Sequence, residues 1–240
     1  MFIYGINPVS EALEARRVSK LMHERGAGPR VDALVARAYE LRLPVETVDR
    51  RALERIARGS VHQGVAAEVA PLPAYTVEEL VTGARKTPLI VVLDGIEDPQ
   101  NVGAILRSVD GAGADGVVRQ ARRAAPLDCA TAKASAGAVN HVKIATVVNI
   151  SRALEELEAL GVWTVGLADE ASESYDVVDY TAPTAFVVGA EGTGLRRLVR
   201  ESCDRLVSIP MAGSVSSLNV SVATGIALFE AVRQRRAAKV

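Results

Sequence analysis

The run Leu89-Ile90-Val91-Val92-Leu93 decides the fold. Five consecutive apolar residues leave a strand no polar side. Both of its faces must therefore be buried, as at the centre of a parallel sheet covered by helices on both sides. Further short runs with strand character follow at Gly116–Val118, Val142–Val148, Val162–Leu167, Ala185–Val188 and Leu206–Ile209. Between several of them, apolar residues recur at helical spacing over Asn101–Ala112, Ser151–Leu160 and Asn219–Arg236. Strand alternating with helix predicts an α/β domain with a parallel sheet. Aromatic residues make up only 4% of the chain, which also disfavours a β-sandwich.

Upstream, residues 1–70 read as a smaller α/β unit. Strands are expected at Phe2–Gly5, Val18–Met22, Pro44–Val48 and Gly64–Val69, and helices after Asn7-Pro8, over Val31–Leu41 and over Arg50–Arg58. Pro71-Leu72-Pro73 marks a linker. The expected organisation is a leading domain over 1–70, a linker over 71–87 with a short helical stretch at Val77–Ala84, and a larger domain over 88–240. A chain of 240 residues suits two such domains.

Charge and cysteine content exclude several classes. The net charge is −1, so no global field draws the chain to nucleic acid. The first 75 residues, with 11 Lys/Arg against 9 Asp/Glu, are only mildly basic. Two cysteines, Cys129 and Cys203, and three scattered histidines build neither a disulfide framework nor a spaced metal motif. The N-terminus lacks the pattern of a secretory signal, and no apolar stretch reaches the ~18 residues of a membrane span. The expectation is a cytoplasmic protein without membrane or metal.

Ligands of doubly wound sheets bind beyond the C-terminal strand ends, and three loops there stand out. The first runs from Asp94 into a helix, with Asn101 near the N-cap and Arg107 projecting from the side opposite Ile105 and Val109. By itself it reads as a capped helix with a solvated arginine. The second, Gly189-Ala190-Glu191-Gly192-Thr193-Gly194-Leu195, has three glycines in six residues, which allows close backbone approach of something flat or charged, and matches neither a dinucleotide fingerprint nor a phosphate loop. Glu191 is there either a hydrogen-bond acceptor for a ligand or an exposed acid on a tight turn. The third, Ile209-Pro210-Met211-Ala212-Gly213-Ser214-Val215-Ser216-Ser217-Leu218-Asn219, runs into a helix apolar on nearly every side, which suits a core or a subunit interface. A hydrolase using Ser214 or Ser216 lacks the nucleophile elbow, and His141 is the only histidine beyond residue 75.

Taken together, residues 98–108, 189–195 and 209–223 resemble, in order, the three motifs of the SpoU/TrmH family of the SPOUT superfamily. Tyr4-Gly5-Ile6-Asn7-Pro8-Val9 and Val61-His62-Gln63-Gly64-Val65-Ala66 are similar to the substrate-binding domain of its 23S rRNA guanosine branch. The resemblance implies a deep trefoil knot in the C-terminal part. It also implies S-adenosylmethionine as methyl donor and transfer to a ribose 2′-hydroxyl of structured RNA, pointing to a guanosine of 23S rRNA. The protein is expected to be a homodimer with the terminal helix in its interface. On the same ground, Gly189, Ile209 and Leu218, with Met211 and Gly213 nearby, bind the donor. Arg107 assists removal of the hydroxyl proton, Asn101 and Asn219 orient it or the ribose, Ser217 holds the substrate or the loop, and Glu191 orders its turn. Alternatives of the same architecture are a tRNA guanosine 2′-O-methyltransferase and a resistance-type rRNA enzyme. A non-catalytic RNA-binding scaffold is the alternative of another class. Residues 18–44 are shorter and richer in Arg and Gly than the rRNA branch leads one to expect.

Overall fold

A computed structural model describes residues 1–238 and divides them into two compact units. The first comprises 1–72 together with 127–141, and the second 73–126 together with the described residues from 142 onward.

The first unit carries a four-stranded sheet. Its elements run β1 (Phe2–Tyr4), α1 (Ile6–Glu14), β2 (Val18–Glu24), α2 (Pro29–Glu40), β3 (Val45–Val48), α3 (Arg50–Ala57) and β4 (Val65–Val69). The strand order is β1-β4-β2-β3, with only β2 and β3 parallel. Helical spacing of Val9, Ala12 and Leu13 on α1 and of Val31, Leu34 and Ala38 on α2 gives each helix one apolar stripe. These stripes pack with Leu21, Val65 and Ala67. On α3, which the Asp49 side chain caps by accepting from Ala52 N at 2.7 Å, Leu53 joins Met22 and Ala66 on the other face.

The chain leaves this unit at Leu72, returns to it at Leu127 and leaves again after His141. The returning segment contains a helix, Cys129–Ala134, that the sequence reading missed. Cys129 lies in the unit's core and its thiol donates to Tyr4 O at 3.4 Å. The Lys133 ammonium sits 4.6 Å from the centre of the Tyr4 ring, a cation–π contact, and Asn140 Oδ1 accepts from Arg17. The expected boundary is therefore corrected: a segment assigned by sequence order to the large domain completes the small one. Its composition, alanine-rich on both sides, carries no mark of the change of partner.

In the second unit α4 (Val77–Thr82) comes first, closed by a Thr76/Glu79 capping box. Val77 and Leu80 are buried in the core, so this part of the expected linker belongs to the domain. Then come β5 (Leu89–Asp94), α5 (Pro99–Ala112) and β6 (Gly116–Gln120). The helix already described, α6 (Cys129–Ala134), is followed by β7 (Ile144–Val147), α7 (Ile150–Ala159), β8 (Trp163–Leu167), the two-residue β9 (Glu173–Ser174) and β10 (Thr184–Gly189). Finally come α8 (Arg197–Glu201), β11 (Arg205–Ser208) and α9 (Val220–Ala237). The seven strands are all parallel, in the order β7-β6-β5-β10-β8-β11-β9. Every residue of β5 and β10 is buried, as the apolar run requires. Ile90, Val92, Ala185 and Val187 pack with α4 and α7 on one face, while α5 and α9 pack together on the sheet.

Arg235 holds the end of α9. Its guanidinium donates to the carbonyls of Thr87, Pro88, Tyr180 and Ala182 at 2.7–2.9 Å. Burial lowers its pKa from the usual arginine range. Among the described residues, no helix is long and apolar enough to cross a membrane and no three acidic, His or Cys side chains gather as a metal ion requires.

The split unit makes a measurable difference. Leu13→Ala is expected to destabilise the small unit by about 2–5 kcal/mol. Hydrogen exchange should then accelerate in α6 together with β1 and α1, while β6 and β7, its neighbours in sequence, keep their protection. Acceleration in β6 and β7 with α6 unchanged would contradict this organisation.

Candidate functional site

The site forms at the C-terminal edge of the parallel sheet. β5 ends in Asp94, whose carboxylate is wholly buried. Its Oδ2 accepts from Arg196 N at 2.8 Å and its Oδ1 from Arg196 Nε at 2.7 Å. That ion pair fixes the chain immediately after the glycine-rich turn. One strand over, Gln120 ends β6 with a buried Oε1 that has no hydrogen-bond partner.

The turn itself is explained by glycine geometry. An Ala190–Gly194 bridge closes it, with Gly194 N donating to Ala190 O at 2.9 Å. Gly192 and Gly194 have φ of +77° and +64°, the left-handed region that costs glycine little. A Cβ on Gly189 would lie 2.1 Å from the Gly194 carbonyl carbon. The bare backbone of Gly189 is thus filled by the returning chain, whereas the sequence reading explained the glycines by close approach of a ligand.

Three of the expected residues meet in one hydrogen-bonded cluster. The Asn219 amide donates to Asn101 Oδ1 at 2.9 Å and to Glu191 Oε1. Its own Oδ1 accepts from Ser221 N at 2.9 Å and from Ser221 Oγ, so Asn219 caps α9 while joining it to α5 and to the turn. Asn101 is buried one turn into α5, and the N-cap is Asp98, which accepts from Gln100 N and Asn101 N. Asn101 was expected near that cap. A proline at the first helical position with Asp before it is the stronger start signal.

Two clefts flank the turn. The larger, of about 680 Å³, is lined by Leu167–Glu170 after β8, the turn from Gly189 to Leu195, and Ser216–Val220. Gly189, Ser217 and Leu218 thus share it with Glu191 and Asn219. Ile209, Met211 and Gly213 lie on the approach to this loop and do not line it. The smaller cleft, of about 350 Å³, lies between Asp94–Asn101 and Ala190–Arg196, with Arg123 on its wall. Glu191 borders both clefts.

Arg107 stands apart. It is exposed on α5 with neither hydrogen bond nor ion pair. It lies six positions after Asn101, which turns it about 240° around the helix and moves it ~9 Å along the axis. A Cβ on Gly111 of α5 would lie 3.9 Å from Phe229 Cζ of α9. His141 belongs to the small unit, with Glu11 Oε2 3.9 Å from its Nε2. Desolvation pushes the Cys203 thiol up to about 12, so it is not a thiolate at neutral pH.

Sequence reasoning missed Leu167–Glu170, Arg200, Asp94, Arg196 and Arg123 as site residues. An acid closing a buried strand was a legible signal for Asp94. The loop after β8 reaches the site only because β8 lies beside β10, a neighbourhood set by the sheet order.

Replacing Gly189 by alanine should force the turn open. We expect a clear fall in melting temperature by calorimetry, because the added Cβ would collide with the backbone of Gly194. A wild-type melting temperature would show that the turn tolerates a Cβ. Asp94→Asn should cost about 1.5–3 kcal/mol in urea unfolding, the worth of its charged hydrogen bonds.

Comparison with known proteins places the chain in a family. Residues 88–229 match the model of the SpoU rRNA methylase family, and residues 2–75 match that of an RNA 2′-O ribose methyltransferase substrate-binding domain. The chain is 46% identical over 240 residues to the 23S rRNA (guanosine-2′-O-)-methyltransferase RlmB of Pseudomonas putida, covering 98% of this chain and 96% of the relative. The Haemophilus influenzae protein of the same name is 44% identical, with 97% of each chain covered. Among solved structures, the SpoU methyltransferase AviRb from Streptomyces viridochromogenes, in complex with the cofactor AdoMet, superposes with a TM-score of 0.82 at 29% identity over 99% of this chain and 91% of that one. With a family model over more than half its length and relatives above 40% identity across nearly all of it, the chain belongs to the SpoU rRNA methylase family.

Proposed function

We propose that the protein transfers a methyl group from S-adenosylmethionine to the ribose 2′-hydroxyl of a guanosine in 23S rRNA. The observation that carries the reading is the Asn101–Asn219–Glu191 cluster between two adjoining clefts. It offers a place for a donor, a place for an acceptor and a polar seam between them. Full-length likeness to enzymes named for this activity supports the substrate. The leading unit is then an RNA substrate-binding domain, and the expected location is the cytoplasm.

The larger cleft fits the donor. Its size falls within the usual ~300–1,000 Å³ of ligand sites. Leu167, Leu195 and Leu218 offer apolar surface, and the exposed backbone of the turn offers groups for the edge of a base. Asp169 and Glu170 on the rim suit a cationic ligand, and Arg200, which pairs with Glu170, suits its carboxylate. When bound there, S-adenosylmethionine supplies the electrophilic methyl.

Asn219 is held by four hydrogen bonds and so fixes the Glu191 carboxylate, whose second oxygen is left to accept from the ribose. Ser217 offers a hydroxyl on the wall beside them. Ile209, Met211 and Gly213 shape the loop that carries Ser217 and Leu218. The Arg107 guanidinium acts as a fixed charge that stabilises the developing alkoxide or holds a flanking phosphate. Its exposure agrees with a site completed on assembly. Val222 and Phe229, two turns apart on α9 and each 50% exposed, supply apolar surface for a homodimer. The proposal includes the trefoil knot, which the tight packing of Gly194 on Gly189 suits.

Methyl-labelled S-adenosylmethionine with unmodified 23S rRNA and tRNA transcripts tests the reading. The expected result is label on one guanosine ribose of 23S rRNA. Arg107→Ala should lower the rate about 10²–10³-fold with donor affinity retained. Label in tRNA alone would overturn the rRNA assignment, and donor binding without transfer to either RNA would favour the scaffold.

A further inference from the structure

Arg123 is an arginine without a structural task. It lies in the loop after β6, exposed, with φ of +52° and with no hydrogen bond or ion pair. Arg16, Arg42 and Arg58 also have positive φ, but each follows or caps a helix, where a left-handed residue ends the helix and a cation faces its dipole. Arg123 follows a strand and has no such reason. A bulky residue in this conformation costs more than glycine or asparagine would, and such outliers concentrate at ligand clamps.

Its side of the smaller cleft defines what it can meet. The cleft is lined by four carboxylates, Asp94, Glu97, Asp98 and Glu191, against two guanidinium groups, Arg123 and Arg196. Arg196 is consumed by Asp94, Asp98 caps α5 and Glu191 is tied to Asn219. Glu97 and Arg123 remain uncommitted. A phosphate would enter this wall against the carboxylates. A neutral ring with hydrogen-bond acceptors on one edge and donors on another is complementary to it. Guanine has that pattern: O6 and N7 accept from an arginine fork, while N1–H and the 2-amino group donate to a carboxylate. Adenine presents a donor where guanine presents O6.

We propose that Arg123 is a specificity residue that reads the O6/N7 edge of the acceptor guanine in the smaller cleft, with the carboxylate side of the wall receiving its donor edge. This rests on the methyltransferase reading above, which places the donor on the other side of the shared turn.

Arg123→Asn is the decisive variant, because asparagine accepts the left-handed backbone without the guanidinium. Transfer rates are compared on the target rRNA fragment carrying guanosine or 7-deazaguanosine, which lacks the N7 acceptor, at the modified position. Wild type should lose about 5- to 100-fold on the deaza substrate. The variant should lose a similar factor on guanosine and little more on the deaza form. Affinity for S-adenosylhomocysteine should hold, since Arg123 does not line the larger cleft. Equal sensitivity of the two proteins to the missing N7 would overturn the proposal. So would a uniform loss on both RNAs with a salt slope reduced by about one, the mark of a phosphate contact. Free guanosine, 7-deazaguanosine and adenosine titrated by saturation-transfer NMR into wild type and variant give a readout independent of catalysis. Wild type should prefer guanosine and the variant should not. Equal binding of all three by wild type would sink the inference even if methylation is observed. A preserved preference in a protein that methylates nothing would instead sink the reaction and keep the base recognition.

Discussion

The buried carboxylate of Asp94 is the constraint on which the C-terminal edge of the large unit depends. A charge taken wholly from water must be matched by donors, and both of its oxygens are matched by Arg196. The partner lies about a hundred residues later, directly after the glycine-rich turn. Satisfying one acid therefore fixes the end of β5, the exit of the turn and the start of α8 in one place. The turn forms part of the wall of both clefts.

From that fixed point the chemistry is arranged by helix starts. Asp98 caps α5 and Asn219 caps α9, and the Asn219 amide ties the two helices to Glu191. The residues that hold the helix ends also border the two clefts. At the other end of α9, Arg235 donates to four carbonyls at the opposite edge of the sheet. A helix held at both ends presents its exposed face, with Val222 and Phe229, in a defined orientation.

The small unit is built on a different economy. Its strands are short and three of them are antiparallel neighbours, yet its core is closed by residues that arrive from the middle of the other unit's sequence. Cys129, Lys133 and Asn140 each meet a residue between Tyr4 and Arg17. The cysteine is thereby a small buried apolar group with a satisfied thiol.

The sequence by itself determined the α/β class, the central strands and the three loops that border the clefts, because apolar periodicity and turn residues act over a few neighbouring positions. Leu89–Leu93 reads as buried on both sides without knowledge of anything else, and the glycines of 189–194 announce an unusual backbone. Only the tertiary structure decided which residues share a site. The sheet order placed the loop after β8 beside that after β10, the Asp94–Arg196 pair joined segments about a hundred residues apart, and α6 joined the small unit. Helix rotation separated Arg107 from Asn101 although the two are only six positions apart. The physical reason is that hydrogen bonds and packing select partners by distance in space, and periodicity along the chain records a residue's face without recording what that face will meet.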